Sequence, residues 1–385
     1  MHKMSNEEIR IRIRAVVLLL LSMVAIAMLG EVSRQNWNAK VTAYPTKTRE
    51  AIETYARELM GKMTLEQKVA QMFLAADGVD SETAARLGLG GVHLRTSQME
   101  NLTADDVAAL LRGYEAEGNI PMLVAVSEEG GAVNTVSAVS TLRPRPYLSP
   151  RELITTGGLR LVDADTREKC ELLGKLGIHI NFAPVCDVAT AEDALMYAQS
   201  AKGDADDVGR YVETVVTAMK EREMMGVLKY FPGCGNLPAA EHTEVLTDRR
   251  TMEQLEAEAL PPFAVGIEAG AELVMMGNTI VTAVDGERPA SLSPKVHSLL
   301  RRQLGFEGIV VSGDLQALGM GRYGDSGALA VMAVQAGSDL LYTSDYARQI
   351  EAVVRSVKQG ELSEERIEES VLRILALKIA HGMLQ

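Results

Sequence analysis

Residues that can carry out acid–base or nucleophilic chemistry recur in this sequence just where apolar segments end. Glu129, Asp187 and Asp314 follow three of these segments, whereas Lys229 and Tyr230 lie within a fourth and His242 comes after it. A carboxylate and an imidazole placed on opposite sides of one bond can act as nucleophile and general acid–base. Such chemistry depends on the elements that bring these distant residues together.

Eight short apolar segments alternate with longer stretches of helical period from residue 49 onward. They span residues 71–75, 91–94, 122–126, 179–183, 227–231, 273–276, 309–311 and 340–342. Nearly continuous apolar character is typical of parallel strands covered on both faces. The sequence therefore predicts an α/β fold with a (β/α)8 TIM-type barrel, and an open doubly wound sheet is the alternative.

Helix starts are readable between these strands. Thr64 with Gln67 predicts a capping box, and Ser363 followed by two glutamates predicts the start of the last helix. In a TIM-type barrel the loops at the carboxyl ends of the strands carry the functional residues. We therefore expect the candidate residues to meet at one face of the barrel.

The amino terminus carries an export or anchoring signal. Arg10, Arg12 and Arg14 precede an almost unbroken apolar run that ends at Leu29. The run suits either an uncleaved signal anchor or a cleaved signal peptide. Because flanking arginines stay cytoplasmic, we expect the rest of the chain on the extracytoplasmic side of the membrane.

This pattern predicts four regions along the chain. They are a cytoplasmic basic head at 1–14, a signal anchor or signal peptide at 15–30, a tether at 31–48 and the barrel at 49–385.

Composition restricts the partners of the protein. Of its 385 residues, 47% are hydrophobic, enough for a large core, and the net charge is −13, from 39 cations and 52 acids. This balance argues against a nucleic-acid binder, whose surface should be basic. Three scattered cysteines argue against a disulfide framework and a zinc site. We expect neither a cofactor nor a bound metal.

Several strings resemble glycoside hydrolase family 3, in particular the single-barrel β-N-acetylglucosaminidases of bacterial cell-wall turnover. Residues 63–73 resemble the opening helix of that family, 181–187 its fourth strand, and 289–293 the approach to its seventh. Residues 229–235, Lys-Tyr-Phe-Pro-Gly-Cys-Gly, stand where the family has Lys-His-Phe-Pro-Gly-His-Gly. The resemblance covers roughly residues 50–382 and implies the barrel fold.

The resemblance also implies a retaining glycosidase mechanism, in which an aspartate attacks the anomeric carbon and a histidine acts as acid and base. His242 matches the histidine, but Ala240 stands at the position of its orienting aspartate. The stretch Ser312-Gly313-Asp314-Leu315 places Gly313 at the nucleophile position. A shift of one residue turns a side chain to the other face. Asp314 therefore reaches the sugar only if the strand end bulges; otherwise it caps or braces the following segment.

The substrate-binding positions implied by the resemblance are changed as well. The family's Asp-x-Glu-Gly-Gly-Arg reads Ser-Glu-Glu-Gly-Gly-Ala at residues 127–132, so Ser127 replaces a carboxylate and Ala132 a guanidinium. Each lost charge-assisted hydrogen bond removes about 1.5 to 3 kcal/mol of binding. The remaining candidate binding residues are Glu129, Asp187, Lys229 and Tyr230.

Two hypotheses follow from this mixture of matches and losses. The first is a membrane-tethered barrel with impaired or lost hydrolysis, which binds a cell-wall glycan or an envelope protein. The alternative is an active retaining β-N-acetylhexosaminidase that uses Asp314 or Glu129 together with His242. The direction of the Asp314 carboxylate distinguishes the two hypotheses, because hydrolysis requires it to face the sugar.

Overall fold

The computed structural model describes residues 48–76, 79–114, 120–239 and 244–384. The predicted basic head, the apolar segment and nearly all of the tether lie outside these ranges. The chain divides into two compact units, Met1–Ile52 and Glu53–Gln385, and the second contains the barrel. No helix in the described ranges is long and apolar enough to cross a membrane.

The strands of the described ranges are short, and most of them are buried. They are β1 Phe73–Ala75, β2 Gly91–His93, β3 Leu123–Val126, β4 Glu128–Gly130, β5 Val133–Asn134, β6 Ile180–Asn181, β7 Met225–Phe231, β8 Thr247–Asp248, β9 Leu273–Met276, β10 Ile280–Val281, β11 Asp285–Pro289, β12 Ile309–Val311 and β13 Leu341–Thr343.

Eight of these strands form one parallel sheet in the order β12-β9-β7-β6-β3-β2-β1-β13. The sheet closes because backbone hydrogen bonds join its two end strands: Ser312 N donates to Leu340 O at 2.9 Å, and Leu340 N donates to Val310 O at 3.1 Å. The eight-stranded barrel predicted from the sequence is therefore confirmed, and an open sheet is excluded.

Helices alternate with the barrel strands. They are α1 Arg49–Met60, α2 Leu65–Gln71, α3 Ser81–Leu87, α4 Ala104–Arg112, α5 Pro150–Leu176, α6 Ala205–Glu221, α7 Met252–Gln254, α8 Leu260–Glu268, α9 Pro294–Ser298, α10 Ser326–Ala336, α11 Tyr346–Lys358 and α12 Glu364–Ala380. Single-turn π-helices follow α7 and α9 at Leu255–Ala259 and Leu299–Gln303.

The predicted helix starts are present. Thr64 Oγ1 accepts from Gln67 N at 3.3 Å, and Thr64 N donates to Gln67 Oε1 at 2.9 Å, which completes the capping box of α2. Ser363 caps α12 through a hydrogen bond from Arg366 N. Both serine and threonine favour this position because their oxygen satisfies an otherwise unpaired backbone N–H.

Two strand boundaries differ from the prediction. The first strand begins at Phe73 and not at residue 71, because Gln71 ends α2 and its buried amide donates to Gly88 O at 2.8 Å. The fourth barrel strand, predicted at 179–183, is only Ile180–Asn181. Pro184 offers no N–H for a ladder beyond that point.

A layer of three rings lies within the barrel, contributed by alternate strands as expected for this architecture. The ring of His93, at the end of β2, contacts Phe182 edge-on at 5.1 Å between centroids and Tyr342 at 5.5 Å. Phe182 and Tyr342 are 5.7 Å apart. This layer places His93 in the barrel interior, at the carboxyl end of its strand.

Two small sheets lie outside the barrel. Strands β4 and β5 form a hairpin directly after β3, and β8, β10 and β11 form a three-stranded sheet. The connection from β11 runs through a 3₁₀ turn at Ala290–Leu292. These insertions carry residues of the site described next.

Candidate functional site

The barrel mouth is the face where the carboxyl ends of the eight barrel strands meet. The polar residues at or just beyond these ends are His93, Ser127, Glu129, Asp187, Lys229, Tyr230, Asn278 and Asp314. They come from different barrel strands, so closure of the sheet gathers residues that are far apart in sequence. His242 lies outside the described residues.

A buried ion pair joins two candidate residues of the mouth. Lys229 Nζ contacts Glu129 Oε1, and the two side chains are 2% and 3% exposed. Burial lowers the pKa of Lys229, but the neighbouring Glu129 carboxylate and Tyr230 more than offset this, so its pKa lies above the ordinary value. Glu129 Oε2 is buried and has no hydrogen-bond partner. The pair is charged and keeps one free acceptor oxygen.

The neighbouring acid Glu128 has a structural role. Its carboxylate accepts from Val136 N at 2.6 Å and from Ser137 N at 3.2 Å, and Ser137 Oγ also donates to it. These bonds hold the loop after β5 against β4. Adjacent acids on one strand therefore face different surroundings, as the alternation of side chains along a strand dictates.

Asp187 connects the loops that follow β6 and β7. Its Oδ1 accepts from Cys234 N and from Gly235 N, both at 2.7 Å, while its Oδ2 is buried without a partner. Burial raises the pKa of Asp187 to about 6, although the two backbone N–H groups and Arg250 act to lower it. The candidate binding residue thus fixes the start of the loop that leads to His242.

Tyr230 follows Lys229 at the end of β7. Its side chain is half-buried, and Lys229 Nζ lies 5.1 Å from its ring centroid. Burial raises the pKa of Tyr230, so the phenol stays neutral. A neutral phenol can donate or accept a hydrogen bond at this position.

The carboxylate of Asp314 braces a turn after β12. Its Oδ1 accepts from Gln316 N at 2.8 Å, the pattern of an Asx turn. Its backbone carbonyl accepts from Asn278 Nδ2, also at 2.8 Å. This is the bracing role that the sequence left as the alternative to attack on the sugar.

The space that a side chain at position 313 would need is occupied by Asn278. A Cβ added to Gly313 would stand 2.7 Å from Cγ and 3.0 Å from Nδ2 of Asn278, and closer still to its Oδ1. Ser291 Oγ donates to Asn278 Oδ1 at 2.5 Å, and the amide of Asn278 is bonded to Asp314 O. Two hydrogen bonds therefore hold an uncharged amide where the resemblance implies a carboxylate.

Sequence reasoning missed two residues of the mouth. They are Asn278, which follows the apolar segment 273–276, and His93, which lies within the apolar segment 91–94. His93 Nε2 lies 3.0 Å from Ser127 Oγ, and its Nδ1 is buried without a partner. Burial lowers the pKa of His93 to about 3, and nearby Lys229 and Arg95 add to this. A histidine in an otherwise apolar strand was the available signal.

In the ranges that the structure describes, no group of three or more His, Cys, Asp or Glu side chains is arranged to hold a metal ion. Of the acids that begin α6, Asp204 caps the helix by accepting from Asp206 N and Asp207 N.

The Glycosyl hydrolase family 3 N terminal domain matches residues 64–377, which is most of the chain. The chain belongs to glycoside hydrolase family 3. Within the family it is similar to the β-hexosaminidase LpqI of Mycobacterium tuberculosis, with 29% identity over 326 residues that cover 81% of this chain and 82% of that one. It is also 30% identical to a β-hexosaminidase of Methylococcus capsulatus over 57% of this chain and 66% of that one.

Solved structures of the family give the same result. A family 3 β-N-acetylglucosaminidase from a Paenibacillus species superposes with a TM-score of 0.76 and 29% identity, over 83% of this chain and 63% of that one. The structure of LpqI superposes with a TM-score of 0.75 and 26% identity, over 84% of this chain and 96% of that one. The fold is therefore that of the family 3 barrel of the β-N-acetylglucosaminidase type.

Proposed function

We propose that this protein is a family 3 barrel at the cell envelope that binds glycans containing N-acetylglucosamine without hydrolysing them. The ligand class comes from the similar proteins, which are named β-hexosaminidase or β-N-acetylglucosaminidase. The loss of hydrolysis is inferred from the chain's own residues.

The observation that carries the proposal is the Asn278 amide next to Gly313. Covalent catalysis by a retaining glycosidase needs an anionic oxygen at the anomeric carbon. Position 313 has no side chain, and its space is filled by a neutral amide that Ser291 and Asp314 O hold in place. Asp314 is engaged with the backbone of its own turn. Among the residues that the structure describes, none places an anionic attacking group at position 313.

Binding groups remain at the same face. Glu129 Oε2 and Asp187 Oδ2 are buried acceptors without partners, and an unpaired buried polar atom is costly unless a ligand or water satisfies it. Sugar hydroxyls are suitable donors. The retained Lys229 holds the Glu129 side chain in place. This set supports recognition of a hydroxyl-rich ligand in the absence of bond cleavage.

The proposed location follows from the amino-terminal sequence. Arginines before the apolar run favour an anchor at residues 15–30 with the barrel on the extracytoplasmic side. A barrel tethered there can reach a cell-wall glycan, and an envelope protein is a further possible partner.

Hydrolysis by an active β-N-acetylhexosaminidase is the second candidate function. It is favoured by the retained Lys229–Glu129 pair and by Asp187, which holds the beginning of the loop that carries His242. In that case Asp314 would have to leave its turn and attack the sugar.

The test uses the full-length protein purified in mild detergent. We expect it to bind N,N′-diacetylchitobiose and to release no chromophore from a chromogenic β-N-acetylglucosaminide. An Asp314→Asn variant is the matched control, since it removes the acid that follows position 313 in the sequence. Turnover that disappears in this variant would establish the hydrolase instead.

A further inference from the structure

Ser127 and His93 form a hydrogen bond at the position where the family resemblance implies a sugar-binding carboxylate. Ser127 Oγ and His93 Nε2 are 3.0 Å apart, on neighbouring barrel strands. The backbone of Ser127 is fixed, because Thr135 Oγ1 donates to Ser127 O at 2.8 Å and accepts from Ser127 N at 3.2 Å. Ser127 is half-buried, whereas His93 behind it is 8% exposed. Ser127 is therefore the more exposed member of the pair.

The surroundings of His93 determine the direction of this hydrogen bond. Its Nδ1 has no partner, and its ring edges face Phe182 and Tyr342. A buried N–H without an acceptor is rarer and less favourable than an acceptor without a donor. The neutral tautomer with its hydrogen on Nε2 is thus preferred, and it donates to Ser127 Oγ. The hydroxyl hydrogen of Ser127 is then free.

We propose that Ser127 selects the ligand of the barrel mouth by donating its hydroxyl to a neutral acceptor oxygen, such as an acetamido carbonyl, and that His93 positions this hydroxyl. The inference rests on the proposed glycan-binding function and adds which partner donates the hydrogen bond in one contact. A carboxylate at position 127 can only accept hydrogen bonds, so the serine reverses the recognition at this point.

The neighbouring charges restrict the ligand class further. Lys229 is already paired with Glu129, whose second oxygen carries negative charge without a partner. An anionic sugar would meet this carboxylate with no free cation from the pair to offset it. The arrangement therefore favours an uncharged saccharide over a sugar acid.

The decisive variants change only residue 127 in the full-length protein. We expect Ser127→Ala to weaken binding of N,N′-diacetylchitobiose by about fivefold to tenfold, the effect of one hydrogen bond. Ser127→Thr keeps the hydroxyl and should bind within about twofold of the original protein. Ser127→Asp restores the carboxylate implied by the resemblance, yet we expect it to bind more weakly than Ser127→Ala. Isothermal titration calorimetry measures all four affinities.

A second His–Ser pair provides the matched control. His297 Nε2 lies 3.2 Å from Ser338 Oγ, both side chains are buried, and Ser338 precedes β13 at the opposite end of the barrel. Ser338→Ala should leave the affinity unchanged. Circular dichroism and thermal unfolding establish that each variant is folded.

The positioning role of His93 has its own readout. His93→Phe keeps a ring against Phe182 and Tyr342 but cannot donate to Ser127. We expect it to weaken binding by about threefold and to have no further effect once Ser127 is alanine. Additive losses would show a packing role only.

The outcomes separate the two proposals. If the original protein binds the ligand and Ser127→Ala binds it equally well, the role of Ser127 is overturned and the proposed function stands. The same conclusion follows if Ser127→Asp binds more tightly than the original protein. Absence of binding by the original protein overturns both.

Discussion

At the scale of single residues, the barrel mouth combines side chains that match the family pattern with others that have changed chemical type. Lys229, Glu129 and Asp187 match, whereas position 313 is a glycine beside the Asn278 amide. The residue types at these positions were readable from the sequence. The sequence did not reveal that Asn278 fills the space at position 313. The two residues are 35 positions apart in the chain, and only the pairing of β9 with β12 brings them together.

Restoring an aspartate at position 313 should destabilise the protein. Gly313 lies outside the left-handed region of backbone conformation, so the overlap with Asn278 is the main obstacle to a side chain. We expect Gly313→Asp to lower the free energy of unfolding by about 1 to 3 kcal/mol, as overpacking typically does. Urea denaturation measures the change.

Removing the obstacle should relieve this cost. Asn278→Ala takes away the overlapping amide, so the double variant should be more stable than the sum of the two single changes predicts. Losses that simply add would show that Asn278 does not fill the space of residue 313. We expect no hydrolysis by Gly313→Asp or by the double variant, because Ser127 and Ala132 also depart from the family pattern.

At the scale of elements, contacts between neighbouring strand ends hold the site. The Lys229–Glu129 pair connects β7 with β4, and Asp187 connects the loops after β6 and β7. All eight barrel strands were predicted, because their apolar segments are continuous and short. The boundaries at Gln71 and Pro184 were not, because the buried end of α2 leads almost directly into β1, and because the residues before Pro184 are buried without belonging to the strand. The small sheets were missed because their strands are short and partly polar.

The buried pair gives a prediction at this scale. Lys229→Met leaves the Glu129 carboxylate buried without a cation, so we expect unfolding free energy to fall by about 3 to 5 kcal/mol. Adding Glu129→Gln should recover a large part of this loss, because no buried charge then remains. Guanidinium denaturation of the two variants measures both changes.

An exposed pair serves as the control. Lys358 Nζ lies 2.7 Å from Glu66 Oε1, with side chains 61% and 55% exposed. Lys358→Ala should change stability by less than about 1 kcal/mol. Equal effects of the lysine substitutions in the two pairs would contradict the importance assigned to burial.

At the scale of the whole molecule, buried ionisable groups couple folding to pH. Burial lowers the pKa of His93 to about 3 and those of His179 and His297 to about 4. Their stabilising contribution is present above the unfolded-state pKa of about 6.5 and is lost as the pH falls toward the folded values. Asp187 acts oppositely: its contribution is complete below about pH 4 and is lost as the pH rises through about 6.

These four groups predict the slope of stability with pH. Near pH 5, unfolding takes up about three protons at the histidines and releases about one from Asp187, so the net uptake is about two. Between pH 4.5 and 5.5 the contribution of these four groups to the free energy of unfolding should therefore rise with pH, because the unfolded state binds more protons than the folded state. Denaturation curves across this range measure the slope. His179→Gln should reduce it, because the variant takes up about one proton fewer on unfolding. A slope that His179→Gln leaves unchanged would contradict the burial of this histidine.

The central claim is that no carboxylate of the barrel mouth attacks the sugar. Its most direct test is intact-protein mass spectrometry after incubation with a fluorinated N-acetylglucosaminyl fluoride, which slows release of the covalent glycosyl–enzyme while fluoride departs. We expect the mass of the full-length protein to remain unchanged. A mass increase of one fluorinated sugar, located on Asp314 and absent from Asp314→Asn, would show that the protein is a retaining glycosidase.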